Sequence, residues 1–160
     1  MSATEARVGR LEAIWIKRAH GRPTEPVSAA TLVEGRGLDG NVWQGATRQV
    51  TVIEREVFDG LRATLGPELD PAMRRANLMV SGVRLQNTRR HMLWIGSCRI
   101  DLVSETRPCE LMDEALQGLR KALEPDWGGG AYGRVAIGGE IRVGDEVRLE
   151  AASEDARVSA

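Results

Sequence analysis

The chain has 160 residues, 42% of them hydrophobic and 28% charged, with a net charge of -1. That length supports a sizeable core, burying roughly 70% of the unfolded surface, and the near-neutral balance gives no bulk attraction to nucleic acid or anionic membranes. No run approaches the roughly 20 apolar residues of a membrane span, and the start, MSATEARVGRLEAIW, lacks the apolar stretch of a signal peptide. A cytoplasmic protein is expected, with one domain over 1–160, a core at about 8–150 and a flexible tail at 151–160. Two cysteines, Cys98 and Cys109, are too few for a disulfide framework. Twenty arginines against two lysines, Lys17 and Lys121, offer bidentate anion contacts and follow equally well from codon usage.

Eighteen glycines, six prolines and many short β-branched runs predict a β-rich, mixed α+β fold of strands closing on themselves. VGRLEAIWIKR (8–18) is strand-like, and HGRPTEPVS after it has the Gly and Pro of a loop. AATLVE leads into GRGLDG (35–40), a literal G-x-G-x-x-G. The dinucleotide-binding form of that motif opens a helix, whereas NVWQGATRQV has no helical period, so the glycines are expected to serve a tight turn. RQVTVI (48–53) is a strand. It runs into EREVFDGLRATLG, where Val57, Phe58, Leu61 and Leu65 recur at helical spacing before Gly66-Pro67.

Further strands are expected at NLMVSGV (77–83), HMLWI (91–95) and CRIDLV (98–103). In the last of these Cys98, Ile100 and Leu102 share one face, which predicts a buried structural thiol at Cys98. The next stretch, TRPCELMDEALQGLRKAL, reads as one helix. Thr106 or Arg107 serves as its entry, Pro108 stands in the first turn, and Met112, Ala115, Leu116, Leu119 and Leu123 form an apolar stripe. A thiol in a helix's first turn feels the partial positive charge of free N–H groups, with Arg107 adding a formal charge, and its thiolate is thereby favoured. Two readings of Cys109 follow: a reactive sulfur, or a half-buried cysteine filling space beneath the helix. WGGGAYGR (127–134) offers an anion nest or a flexible connection, of which the connection is favoured because the Lys and Ser/Thr of a phosphate-binding loop are missing. Two strands around Gly138-Gly139 and a Gly144-Asp145 turn end the pattern. His20 and His91 sit at no ligand spacing, so a zinc site built from protein alone is not expected.

Taken in order, EGRGLDG, RQVTVIERE, RRANLMVSGV, WIGSCRIDLV, RPCELM and GRVAIGGEIRVGDEV resemble the MOSC domain, named after the C-terminal domain of molybdenum-cofactor sulfurase. The resemblance spans Val8 to about Glu150. It implies a closed β-barrel of the MOSC and pyruvate-kinase-barrel-like type with peripheral helices, and a pocket onto which the Pro-Cys cysteine opens. It implies that Cys109 is the functional thiol, either carrying persulfide (sulfane) sulfur or ligating the molybdenum of a molybdenum-pterin cofactor. Arg48 of RQVT, with Arg75 and Asn77 of RRAN, falls at motif positions near that pocket. Together with Arg107, these arginines and this asparagine are the expected cofactor-binding residues, the arginine forks suiting a pterin phosphate. The implied partners are a small-molecule cofactor or sulfur donor and a redox or sulfurase protein. Two other functions remain open: a non-catalytic barrel docking onto a sulfurase or molybdoenzyme, and a molybdenum-dependent reductase of N-hydroxylated compounds. Where many relatives place Gly-Asp and a histidine, this chain reads LDGNVWQGATRQ, with Trp43 either closing the pocket or packing in the barrel.

Overall fold

A computed structural model describes residues 8–42 and 44–152; Trp43, and residues 153–160 of the tail expected over 151–160, lie outside them. The strands are β1 (Val8–Ile16), β2 (Glu25–Val27), β3 (Ala29–Val33), β4 (Gly37–Leu38), β5 (Val50–Glu54), β6 (Leu78–Ser81), β7 (Met92–Ile95), β8 (Cys98–Glu105), β9 (Ala131–Ile137), β10 (Gly139–Arg142) and β11 (Glu146–Glu150). The helices are α1 (Arg55–Leu65), α2 (Leu111–Ala115) and α3 (Leu119–Leu123), with 3-10 turns at Pro71–Arg74 and Pro125–Trp127.

Seven strands pair in the cyclic order β1-β11-β7-β8-β9-β5-β6, and β6 returns to β1, so the barrel is closed as expected. Only the β5–β6 pairing in this ring is parallel, which makes it mixed. Strand β2 adds to the outer end of β1, so the segment expected to be all loop carries a short edge strand, where Pro26 is tolerated. A second sheet, β10-β3-β4, lies beside the barrel. The G-x-G-x-x-G glycines turn the chain into β4, with Gly35 and Gly37 at φ 71° and 128°, and no helix follows.

The alternation in β5 explains the two cores. Val50 and Val52 face the barrel interior with Leu11, Leu78, Ile100 and Val135. Ile53 faces outward, where Phe58, Leu69, Met112, Leu119 and Leu123 cover it. A strand buried on both sides reads as a continuous apolar run, which is why this segment stands out in the sequence.

Helix α1 forms as its apolar period predicts and ends at Gly66, φ 95°. Its N-terminal flank, Glu54, is buried, and its carboxylate accepts from Leu85 N–H at 3.2 Å. Burial pushes this carboxyl above its ordinary value, against the lowering effect of the Leu85 bond and of Arg84, with Glu56 adding to the rise. Its folded value therefore lies above its unfolded one, and ionising it costs stability as pH rises through the folded value. Glu54→Gln is expected to raise the melting temperature at neutral pH, and the gain should vanish below about pH 4, where the native carboxyl is protonated in both states. Melting curves of both proteins across that range test this.

The helix expected over 108–123 is two. Leu116 is extended (φ -157°) and Gly118 left-handed (φ 90°), so the chain breaks between α2 and α3, while Asp113 Oδ1 accepts from Gly118 and Arg120 N–H at 3.1 Å each. The break keeps Met112, Leu119 and Leu123 buried and leaves Ala115 exposed. Cys109 precedes α2 rather than lying in its first turn, and a five-residue helix brings little dipole to it.

Candidate functional site

One end of the barrel gathers cations. Lys17 follows β1, Arg48 precedes β5, and the Pro71–Arg74 turn delivers Arg74 and Arg75 ahead of β6. Arg75 sits in the left-handed region (φ 59°, ψ 36°) with its N–H bonded to Ala72 O. This turn sends the two neighbouring arginines different ways. Arg74 goes inward, 8% exposed, and Arg75 remains half-exposed.

Arg74 is a clamp. Its Nε donates to Gly129 O at 3.0 Å and its Nη2 to Thr106 O at 3.3 Å, which ties the glycine row to the segment carrying Cys109. Burial lowers its guanidinium from the ordinary value, the Cys109 sulfur opposes that, and Arg48 adds to it. The row expected to be a flexible connection is instead buried throughout, from Trp127 to Gly130. A side chain on Gly129 would run into Thr106 O, and one on Gly130 into Val52 O.

Two of these cations, Lys17 and Arg48, border a cavity of about 340 Å³ that Asn41, Gln49, Thr51 and Asn77, with Val42 and Ala46, also line, while Arg74 and Arg75 act on Lys17 from outside its lining. Its neutral groups are occupied with one another. Asn77 is 2% exposed; its Oδ1 accepts from Thr51 N–H (3.1 Å) and Thr51 Oγ1 (3.3 Å), and its Nδ2 donates to Trp15 O (3.3 Å) and Asn41 Oδ1 (3.1 Å). Asn41 Oδ1 also accepts from Lys17 N–H at 2.8 Å, and its Nδ2 donates to Val42 O at 2.7 Å. These bonds join β1, β5, β6 and the loop after β4 into a rigid floor. Burial first, then the guanidiniums of Arg75, Arg74 and Arg48, lower Lys17 from 10.5 to about 8. Among the described residues, none of these four cations makes an ion pair with a carboxylate. Arg48 lies over the Tyr132 ring, 4.9 Å from its centroid.

Cys109 is a free, exposed thiol. It does not line the cavity and meets the site through Arg74, the cation that acts on both it and Lys17. Arg107 is exposed and is not among the cations acting on Lys17. Cys98 is buried among core residues, as its alternation predicts, and burial pushes its thiol up. Cys98 opens β8 and Cys109 lies beyond its other end, so the length of the strand, roughly 25 Å, stands between them. Among the described residues no three His, Cys, Asp or Glu side chains come together to hold a metal ion. No helix among them is long and apolar enough to cross a membrane. A larger cleft of about 1050 Å³ lies across the 45–49 segment, but none of Lys17, Arg48, Arg75, Asn77, Arg107 and Cys109 lines it, and its Asp101 is paired with Arg99 at 2.9 Å.

Of the residues expected from the sequence, Arg48 and Asn77 line this cavity and Arg75 acts on Lys17 beside it; Lys17, Asn41 and Thr51, which also line it, and Arg74 were not among them. The scarcity of lysine was the available signal for Lys17, one of only two in the chain. Thr106, three residues before Cys109, keeps a buried hydroxyl without a partner among the described residues.

The fold has solved counterparts. The YuaD protein from Bacillus subtilis superposes with a TM-score of 0.79 at 18% identity, covering 93% of this chain and 99% of that one. YiiM from Geobacillus stearothermophilus gives 0.71 at 18% identity over 88% and 74%, and YiiM from Escherichia coli gives 0.65 at 19% over 90% and 71%. A search of the curated proteins finds no match. The family model for the MOSC domain matches residues 39–148, a span that runs from the loop after β4 into β11 and takes in every barrel strand but β1, and the chain belongs to the MOSC domain family.

Proposed function

We propose that this protein handles sulfur or molybdenum at Cys109 and holds the anionic end of its ligand, a molybdenum-pterin cofactor, in the cavity bordered by Lys17 and Arg48, with the charge of Arg75 acting on Lys17. The observation that carries this reading is an exposed thiol sharing Arg74 with a cavity whose cations have no carboxylate partner among the described residues. The donor set fits such a group: unpaired cations suit a phosphate, and a thiolate suits a soft metal. Bound there, the cofactor would supply the soft ligands and the redox chemistry that this chain lacks. Arg74 positions the Cys109 segment, and Asn77, with its amide fully engaged, keeps the cavity floor rigid.

For sulfur carriage the chemistry balances without an oxidant. The Cys109 thiolate attacks the outer sulfur of a donor persulfide, the donor's S–S bond breaks, and the donor departs as a thiolate while Cys109 keeps the persulfide. A sulfurase protein is a suitable donor, because Cys109 lies on an open face where Leu111, two residues on, is 54% exposed.

Native mass spectrometry and metal analysis of the isolated protein test this reading. Added sulfur or co-purifying molybdenum is expected in the wild type and should be absent from Cys109→Ser. If Cys109→Ser retains both in full, Cys109 is not the carrier.

A further inference from the structure

We propose that the groove at the far end of β5, floored by the buried Glu54, is a binding site for a small aliphatic diamine. It uses neither Cys109 nor the cations gathered at the start of β5, and so stands apart from the preceding reading.

The groove has a volume of about 490 Å³ and lies where the parallel strands β5 and β6 both end. The carboxyl ends of parallel strands are where β-α-β units commonly carry their sites. The first turn of α1, the loop after β6, α3 and the Pro125–Trp127 turn wall it. In that last turn two successive residues take left-handed backbone, Asp126 at φ 54° and Trp127 at φ 61°. Trp127 thereby enters the barrel core while Asp126 stays on the groove.

Three carboxylates line the groove, and one oxygen anchors each of them. Glu54 Oε2 accepts from Leu85 N–H at 3.2 Å, Glu56 Oε2 from Gly82 N–H at 2.7 Å, and Asp126 Oδ1 from Gln86 Nε2 at 3.2 Å. Their second oxygens have no partner among the described residues, where none of the three is ion-paired. Glu54 distinguishes this from a solvated acidic surface. It is 6% exposed, so its unbonded oxygen is reached only through the groove that it lines. Held that deep, an ionised carboxylate costs stability, and a cation seated on it offsets the cost.

The distribution of charge selects the ligand. Against the three carboxylates the lining sets one cation, Arg84, which leaves two negative charges in excess. Among the described residues these side chains do not come together as a metal site does, so the matching dication carries its charges apart. Each ammonium brings donors as well as charge. Val57, Ala122 and Pro125 supply an apolar wall for the carbon chain between them.

Isothermal titration calorimetry with diaminobutane, at low ionic strength to limit screening, tests the site. Wild type should bind the diamine about two- to fivefold more tightly than n-butylamine, whose one ammonium leaves an exposed carboxylate unmatched. Glu54→Gln should weaken binding about tenfold or more, because a hydrogen-bonded charge is lost from the floor. That variant is expected to be the more stable protein, so lost binding is not lost structure. Asp126→Asn should weaken binding about two- to fivefold and Arg84→Gln should tighten it by a similar factor. Magnesium chloride at equal ionic strength should leave the affinity unchanged, and Cys109→Ser should match wild type even if the sulfur reading fails. A Glu54→Gln protein that binds like wild type, an equal grip on n-butylamine, competition by magnesium, or no binding of the diamine overturns the proposal.

Discussion

Gly130→Ala is expected to cost about 4 kcal/mol or more of folding stability, a large share of the roughly 5–15 kcal/mol that holds such a chain folded. Two effects add. Gly130 has φ 96°, where an L side chain costs about 1–3 kcal/mol. Its new Cβ would also run into Val52 O and sit 3.0 Å from Ile53 Cγ2. Val52 cannot yield, because β5 is buried and paired to β6 on one side and β9 on the other. Gly130 itself cannot retreat either, since its carbonyl accepts from Thr106 N–H at 2.8 Å. Gly45→Ala is the control. It has a similar φ of 83° with nothing within 4 Å of the added carbon, so strain alone, about 1–2 kcal/mol, should appear. Urea unfolding of both variants decides the matter; equal losses would mean that the crowding at Val52 contributes nothing.

Arg74→Met is expected to lose about 3 kcal/mol, because the methionine fills the volume of the stem but supplies no donor to Gly129 O and Thr106 O. The segment from Thr106 to Cys109 then loses its side-chain tie to the glycine row and keeps only the Thr106 N–H to Gly130 O bond. With one guanidinium removed from its surroundings, the Lys17 amine should also regain part of its ordinary basicity. Denaturant unfolding gives the first number, and cleavage of the native protein by a protease near Arg107 reports the second loosening. A variant as stable and as resistant as wild type would show that the clamp is ornamental.

Strands such as β7, β8 and β9 were legible because period-two alternation survives in them, and β5 because its apolar run is continuous. Cys98, Ile100 and Leu102 do face one core together. What the pattern did not disclose was a break inside an apolar stripe: Gly118 looks tolerable in a helix, yet it bends the chain so that Leu119 and Leu123 reach the outer core. WGGG was ambiguous for a related reason. A row of glycines serves either freedom or close approach, and only the neighbouring carbonyls distinguish the two. The motif residues Arg48, Arg75 and Asn77 do lie at one end of the barrel, but the hydrogen bonds of Asn77 were hidden, because a polar residue before a strand reads the same whether it offers its amide to a ligand or spends it on Thr51 and Trp15. Lys17 and Arg74 escaped notice because they lie 57 positions apart in the chain and meet only through the sheet.

The seam between β1 and β11, Val8 opposite Arg148 and Arg10 opposite Glu146, bears on how the chain is made. On the ribosome the earliest strand must wait, with one edge bare, while about 140 further residues are synthesised, because its neighbour there comes last. Until then an unpaired edge stands open to other nascent chains, so slow elongation or a stall upstream of β11 would favour aggregation over productive folding.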